Sequence, residues 1–421
     1  MSQLVPSTVS NAVAEIFSQG DEVLTGQIAD TNAAWLARAV TRLGFDVIHH
    51  SAVGDRLEPM VEQLRVIAGR SDLCIGTGGL GPTVDDLTAA AVATAFDRPL
   101  ALDPVALEQV EAYFARRGHT MAEVNRKQAW LPSGSQRLDN HWGTAPGFLV
   151  RQERCLFVFL PGVPSEMQAM FTHGVEARII ESYRLQPPRV TVLRTFGLGE
   201  SALQQKLEPL GLPPGVRLGF RAGVYQNEVK LSFPWDFPAR ESEALVARAA
   251  ALIGDGVFAI GDVEAAEGSL AAVVGKCLAA RGATLATAET FTAGQLAWLC
   301  RGQGCLLHSA VAPRSEPLFR LLGAEPGERF SDPQVDAVSL AGRLRSRCGA
   351  DYALAILGSP TQDSVERLPP PATVAIALAG PLGSSVRALT LAGTAERRQM
   401  QAAAAALDDL RRHLMQESRC D

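Results

Sequence analysis

Short apolar runs alternate with amphipathic stretches along the first part of the chain, and that rhythm sets the expected fold class. Val13–Phe17 reads as a buried strand, after which Trp35, Leu36, Ala39, Val40 and Leu43 recur at helical spacing. Phe45–His49 predicts the next strand, Leu57–Ala68 the next helix, Leu73–Gly76 a third strand and Leu87–Ala95 a third helix. Alternation of this kind implies an α/β domain, a mostly parallel sheet with helices on both faces. Ala122–Gly147 is punctuated by Pro and Gly and reads as a loop before the strand Leu156–Leu160, so a first domain is expected over 1–172.

Beyond it the pattern shortens. Val190–Phe196, Ser201–Leu207, Val216–Phe220, Glu228–Phe233 and Glu241–Ile253 read as strand, helix, strand, strand, helix, a small α+β module over 185–254. The Gly- and Glu-containing stretch 255–268 is the expected linker, and the amphipathic run Leu270–Ala280 opens a third, α/β domain over 269–421. Its strands are expected at Thr284–Thr287, Tyr352–Leu357, Thr373–Leu378 and Val386–Leu391, before a terminal helix Ala395–Met415 whose alanine run reflects helix propensity. No internal repeat is visible.

At 421 residues, three domains agree with ordinary domain sizes, and 47% hydrophobic with 20% charged residues is a globular balance. The net charge of −6, without a Lys/Arg cluster, gives no footprint for direct nucleic-acid binding. The start lacks a charged segment followed by a long apolar one, and no run is long enough to span a bilayer, so a cytoplasmic protein without membrane contact is expected. Cys74, Cys155, Cys277, Cys300, Cys305, Cys348 and Cys420 are scattered without a CxxC pair, which suits neither a disulfide framework nor a zinc site.

The strongest local chemistry lies in Gly76–Asp86, GTGGLGPTVDD, between a buried strand and a helix. Glycines let the backbone turn tightly and bring N–H groups to an anion, with the helix N-terminus adding partial positive charge. Phosphate is the natural guest. Thr77 and Thr83 add hydroxyls, while Asp85 and Asp86 stand where a carboxylate could ligate a metal or cap the helix. Two companion loops follow neighbouring strands: Ser18–Gly26 with Asp30–Asn32, and Val53–Asp55. In a parallel sheet such loops meet at one edge, so Asp21, Glu22, Asp30, Asp55, Asp85 and Asp86 are expected around one cleft. That cluster is either a solvated acidic rim or a site for a divalent cation bridging carboxylates and a pyrophosphate.

These loops resemble the CinA family, whose first domain is related to the molybdopterin-binding MoaB and MogA proteins. NRKQAWLPSG from Asn125, GTAPGF from Gly143, LPGVPSEM from Leu160 and RTFGLGES from Arg194 continue the resemblance in order. It implies a three-layer MoaB/MogA-like first domain acting as a metal-dependent pyrophosphatase on ADP-ribose or a related nucleotide diphosphate. Under it, Gly78, Gly79, Gly81, Thr83, Asn32 and Ser165 bind substrate, and Glu22, Asp30, Asp55 and Asp86 hold magnesium, manganese or cobalt. Asp85 and Asp86 act in catalysis, and Lys127 supplies charge to the leaving group. Asp21 stands where the family more often has Thr, so Glu22 is favoured there; Ser165 and Glu166 could instead cap the helix after Pro164. The second module resembles the family's KH-like domain but has no GXXG loop flanked by basic residues, so RNA binding does not follow.

The third domain resembles the family's amidase module, which deamidates nicotinamide mononucleotide in active relatives. Its AESCTGG pattern is AETFTAG at Ala288–Gly294, with Thr290 at the serine nucleophile. A threonine still needs a base, and the VAYSNEAK-like segment that supplies Tyr and Lys reads VAPRSEPL, with Pro313 and Leu318 in those places. GIAGPGG survives only as LGSPT at Leu357–Thr361. Loss of deamidase activity is therefore expected. The resemblance further implies a homodimer. Two other readings stand beside the enzyme: a nucleotide- or pterin-binding protein without turnover, and an interaction protein in competence and recombination.

Overall fold

A computed structural model of the chain describes residues 12–262, 268–325, 328, 332–358 and 371–420. Its contacts fall into two units, Met1–Pro188 and Arg189–Asp421. Among the described residues, no helix is long and apolar enough to cross a membrane.

In the first unit the chain runs β1 (Val13–Gln19), the short α1 (Asp21–Leu24), α2 (Thr31–Leu43), β2 (Asp46–Val53), α3 (Leu57–Arg70), β3 (Leu73–Thr77) and α4 (Thr88–Ala95). There follow β4 (Leu100–Leu102), α5 (Pro104–Ala115), β5 (Trp130–Pro132), β6 (Gln136–Leu138), β7 (Gly147–Gln152), β8 (Cys155–Leu160), α6 (Pro164–Met170) and α7 (Glu176–Ser182). The main sheet has the order β2-β1-β3-β8-β7-β6; the first three pairings are parallel and the last two antiparallel. This is the mostly parallel α/β sheet that the periodicity implies. Alternation fills both faces: Ile16, Ile75 and Val158 join one buried cluster, and Phe17, Cys74 and Phe157 the other. Burying each larger apolar side chain is worth about 1.5–3 kcal/mol, so a one-residue slip of a central strand is strongly opposed.

Glu15, fully buried in β1, accepts hydrogen bonds from Arg70 Nε at 2.9 Å and Ser51 Oγ at 2.6 Å. Burial pushes its carboxyl up, and the bonds from Arg70 and Ser51 with the guanidinium charge outweigh that and hold it below the ordinary range.

The expected loop Ala122–Gly147 is more ordered than its punctuation suggests. It contains a 3₁₀ helix at Glu123–Ala129, β5 and β6, elements too short to show a period, and β7 then forms an antiparallel pair with β8.

In the second unit β9 (Arg189–Thr195), α8 (Glu200–Leu207), β10 (Arg217–Ala222), β11 (Asn227–Phe233), α9 (Ala239–Ile253) and β12 (Val257–Gly261) build a four-stranded antiparallel sheet of order β10-β11-β9-β12. The expected linker 255–268 thus needs correction. Its apolar run Val257–Ile260 pairs with β9, and Phe258 enters the core of the part that follows. That part runs α10 (Leu270–Ala279), β13 (Leu285–Glu289), α11 (Gln295–Leu299), β14 (Leu306–Val311), α12 (Ser315–Leu321), α13 (Pro333–Cys348), β15 (Tyr352–Leu357), β16 (Ala372–Gly380), β17 (Gly383–Leu391) and α14 (Ala395–Cys420). Its sheet order is β14-β13-β15-β16-β17, parallel through β13 and antiparallel beyond β15. The buried alanines 402–406 of α14 let that helix pack closely in the core.

Candidate functional site

The parallel register brings the carboxyl ends of four strands together: Gln19 of β1 lies opposite Val53 of β2, Ser18 opposite Thr77 of β3, and Thr77 opposite Leu160 of β8. The loops leaving those ends enclose a cavity of about 600 Å³. Glu22, Asp30, Asn32, Asp55, Gly78, Gly79, Gly81, Asp85 and Asp86 line it, so three segments far apart in sequence share one wall.

The glycines are fixed by close approach. Gly78 and Gly79 have φ of 98° and 65°, and a Cβ on Gly78 would stand 2.5 Å from the Gln19 carbonyl oxygen. The Gly78 N–H is already bonded to Leu160 O at 3.1 Å, and the Gly79 carbonyl accepts from Thr88 N at 3.1 Å, so the first amide of α4 is spent within the protein. The expectation that α4 aims its N-terminus at an anion is corrected to that extent. The amides of Gly79, Leu80 and Gly81 have no acceptor among the described residues.

Gln19 ties the three loops together. Its Nε2 donates to Asp55 Oδ1 and to the Asp85 carbonyl, each at 2.8 Å, and its Oε1 accepts from Thr88 Oγ1. The sequence signal for it was slender, a polar residue continuing a buried strand into a glycine turn. Ser18 and Thr77 beside it are also buried.

The carboxylates have different duties. Asp30 Oδ1 accepts from Ala33 N at 2.8 Å and caps α2. Asp21 and Asp55 exchange bonds, each backbone N–H donating to the other's carboxylate, and Asp21 stays off the cavity wall while Glu22 lies on it. Asp86 Oδ2 accepts from Thr83 N at 2.7 Å and Thr83 Oγ1 at 2.5 Å, closing the turn beneath Gly81. Neither Asp85 nor Asp86 caps α4, whose N-cap is Leu87 without a side-chain bond.

Three further expected residues lie off the cavity wall. Thr83 is an exposed turn residue, and Lys127 Nζ donates to its carbonyl while Lys127 lines a smaller neighbouring cavity that shares Gly79, Leu80, Gly81 and Asp86. Ser165 is exposed and does not line the cavity, and the cap for Ser165 and Glu166 is absent because Val163 is the N-cap of α6, without a side-chain bond. Glu166 does line it, held by Asn140 Nδ2 at 2.7 Å. Within the NRKQ stretch, Asn125 and Gln128 are the buried members, with Gln128 Nε2 on Thr144 Oγ1 at 3.0 Å.

Among the described residues, no group of three or more His, Cys, Asp or Glu converges as a metal-binding set. What the cavity offers is single carboxylates with oxygens left over after their internal bonds. That donor set suits a hard cation held by one or two carboxylates and completed by phosphate and water, and does not suit an all-protein cage.

In the second unit the turn after β13 holds Thr290, 2% exposed. Its Oγ1 donates to Gly358 O at 2.8 Å and accepts from Gly358 N at 3.1 Å. The neighbouring Glu289 carboxylate, fully buried, accepts from Thr292 Oγ1 and the amides of Gly294, Leu296 and Ala297 at 2.6–3.2 Å. Phe291 sits in the core, Leu318 is a buried residue of α12, and Pro313 is exposed. Ala293, at a glycine of the family pattern, is held at φ 49°. Of Leu357–Thr361, residues 359–361 lie outside the described residues.

A family model described as "Probable molybdopterin binding domain" matches residues 15–180, and one described as "CinA C-terminal domain" matches 330–414. A CinA-like protein of Escherichia coli O9:H4 (strain HS) is 47% identical over 232 residues, 55% of this chain and 57% of that protein. The chain thus pairs a molybdopterin-binding-type first domain with a CinA-type C-terminal domain, and the relatives it matches are named CinA-like proteins. The matched stretch spans little more than half the length of these relatives, among them the "NMN amidohydrolase-like protein YfaY" of Escherichia coli (strain K12), also 47% identical with 57% covered. Among solved structures, CinA of Thermoplasma acidophilum is 31% identical, over 39% of this chain and 97% of that one, with a TM-score of 0.37. The MoaB enzyme of Thermus thermophilus is 19% identical, over 39% and 91%, with a TM-score of 0.28.

Proposed function

We propose that the first unit is a metal-dependent pyrophosphatase for ADP-ribose or a related nucleotide diphosphate, and that the amidase-like part of the second unit has lost deamidase activity. One observation carries the first half: the open amides of Gly79, Leu80 and Gly81 share a cavity with Glu22, Asp30, Asp55, Asp85 and Asp86. Loop amides bind the acceptor oxygens of a diphosphate. Carboxylates facing the same oxygens repel them unless a cation lies between, and one or two of Glu22, Asp30, Asp55 and Asp86 are the residues to hold magnesium, manganese or cobalt. When bound, such a cation neutralises charge and polarises the phosphoryl oxygens. Asp85, exposed and on the cavity wall, is the group to take the proton of the attacking water. Gln19 keeps the three loops in register, and Lys127 steadies the glycine turn through the Thr83 carbonyl.

A specific observation favours a second reading, binding without turnover: the missing convergence of three ligands among the described residues. The domain description, with its molybdopterin, makes a pterin phosphate the ligand of that reading. Support for the second half comes from Thr290, Pro313 and Leu318, and from a family match that begins only at residue 330, past all three.

Purified full-length protein, offered ADP-ribose with and without magnesium, manganese or cobalt, distinguishes these readings. Metal-dependent release of AMP supports the pyrophosphatase; tight binding with no AMP moves the unit to the binding class. Nicotinamide mononucleotide, suggested by the name of one relative, tests the second unit in the same tubes, and any deamidation overturns its assignment as inactive.

A further inference from the structure

Among the described residues, two buried polar atoms have no hydrogen-bond partner, Ser18 Oγ and Asn32 Oδ1, and both residues line the cavity. Ser18 is 3% exposed at the end of β1, so its hydroxyl is deep and not at a solvated rim. The Asn32 amide has a defined orientation. Its Nδ2 donates to the Gly162 carbonyl at 2.8 Å and to Thr77 Oγ1 at 3.2 Å, and a flipped amide would set oxygen against the Gly162 oxygen. Oδ1 is therefore the free atom. Thr77 is the sheet partner of Ser18, and so the two orphans belong to one corner, formed where β1 and β3 end and α2 begins.

This corner asks for the opposite of what the glycine loop asks for. Open amides take acceptors, whereas a bare carbonyl oxygen takes only a donor, and a phosphate oxygen placed against Asn32 Oδ1 would bring lone pair against lone pair. A hydroxyl meets both needs, donating to Asn32 Oδ1 and accepting from Ser18 Oγ. We infer that Ser18 and Asn32 form a hydroxyl-binding subsite that takes a sugar hydroxyl of the phosphate-bearing ligand. The inference rests on the phosphate-binding reading of the same cavity for its neighbour and deepens it: the ligand class narrows to sugar phosphates, and a bare diphosphate fills only part of the site.

Calorimetric titration of the full-length protein with inorganic pyrophosphate and with ADP-ribose, for the wild type, Ser18→Ala and Asn32→Ala, tests this. In Ser18→Ala an unsatisfied buried hydroxyl is removed, so its melting temperature should equal or exceed that of the wild type. Loss of one ligand hydrogen bond should weaken ADP-ribose by about five- to tenfold while leaving pyrophosphate unchanged. Equal weakening of both ligands, or of neither, in both variants overturns the subsite. If the wild type ignores pyrophosphate yet binds ADP-ribose in a Ser18-dependent way, the phosphate reading fails and the subsite stands. Binding of neither ligand by the wild type sinks both.

Discussion

Two strand-to-helix turns of this chain, one in each unit, begin alike and end in opposite states. After β3, the Gly78–Asp86 loop leaves amides without an acceptor among the described residues and borders a cavity lined by residues that carry unpartnered buried side-chain atoms. After β13, every polar group of the Glu289–Gly294 turn that chemistry could use is spoken for: Thr290 by Gly358, and Glu289 by Thr292 and amides of the turn and α11. A buried group without a partner costs stability, so a protein keeps it where a ligand supplies the partner. The first turn retains that cost and the second has removed it. Sheet topology alone does not separate the two turns, since both follow central strands of parallel sheet segments.

The comparison can be broken most directly at Asp86. Asp86→Asn keeps an acceptor for Thr83 but removes the carboxylate charge proposed to hold the cation, and metal-dependent AMP release should fall by about 100-fold or more with an unchanged melting curve. A rate within about threefold of the wild type would remove Asp86 from the site. In the second turn the expected effect is on stability instead. Glu289→Ala strands the amides of Gly294, Leu296 and Ala297 and should cost about 3 kcal/mol in denaturant unfolding, with ADP-ribose hydrolysis per folded molecule unaffected. Gln19→Ala is intermediate and mixes both effects, because it frees Asp55 and the Asp85 carbonyl together. About tenfold lower turnover is expected, with a loss of roughly 1–2 kcal/mol that mass spectrometry of amide exchange should localise to the glycine loop. The smallest effect belongs to Thr290→Ser. If Pro313 and Leu318 take the base positions, as the proposed loss of deamidase activity requires, the serine variant should give no deamidation of nicotinamide mononucleotide by product chromatography, and measurable product would reopen the second unit as an enzyme.

Legibility in the sequence followed the length and regularity of each element. The strands β1, β3, β8 and β15 and the helices α2, α3, α9 and α14 carry enough periodic residues to be read directly. Three-residue strands such as β5 and β6 carry no period, and β12 was hidden because flanking glycines and acids look like a linker although Val257–Ile260 is apolar. The same limit applied to the site. Glycine spacing and the order of the acidic residues announced a loop cluster, yet Lys127 and Ser165, polar and well placed in sequence, lie off the wall of the main cavity.

The sequence by itself determined the α/β alternation, the glycine loop after β3 and the acidic loops beside it, because each is a matter of local residue type and spacing, while the departures at Thr290, Pro313 and Leu318 are read only through the family resemblance. Only the tertiary structure decided which polar atoms are satisfied. Gln19 became the tie between three loops, Asp30 a cap, Asp55 a braced carboxylate, and Ser18 and Asn32 the bearers of unpaired atoms. Partners such as Gly162 for Asn32 lie 130 residues away, and hydrogen-bond satisfaction at that separation is set by the strand register and loop packing that fold the sheet.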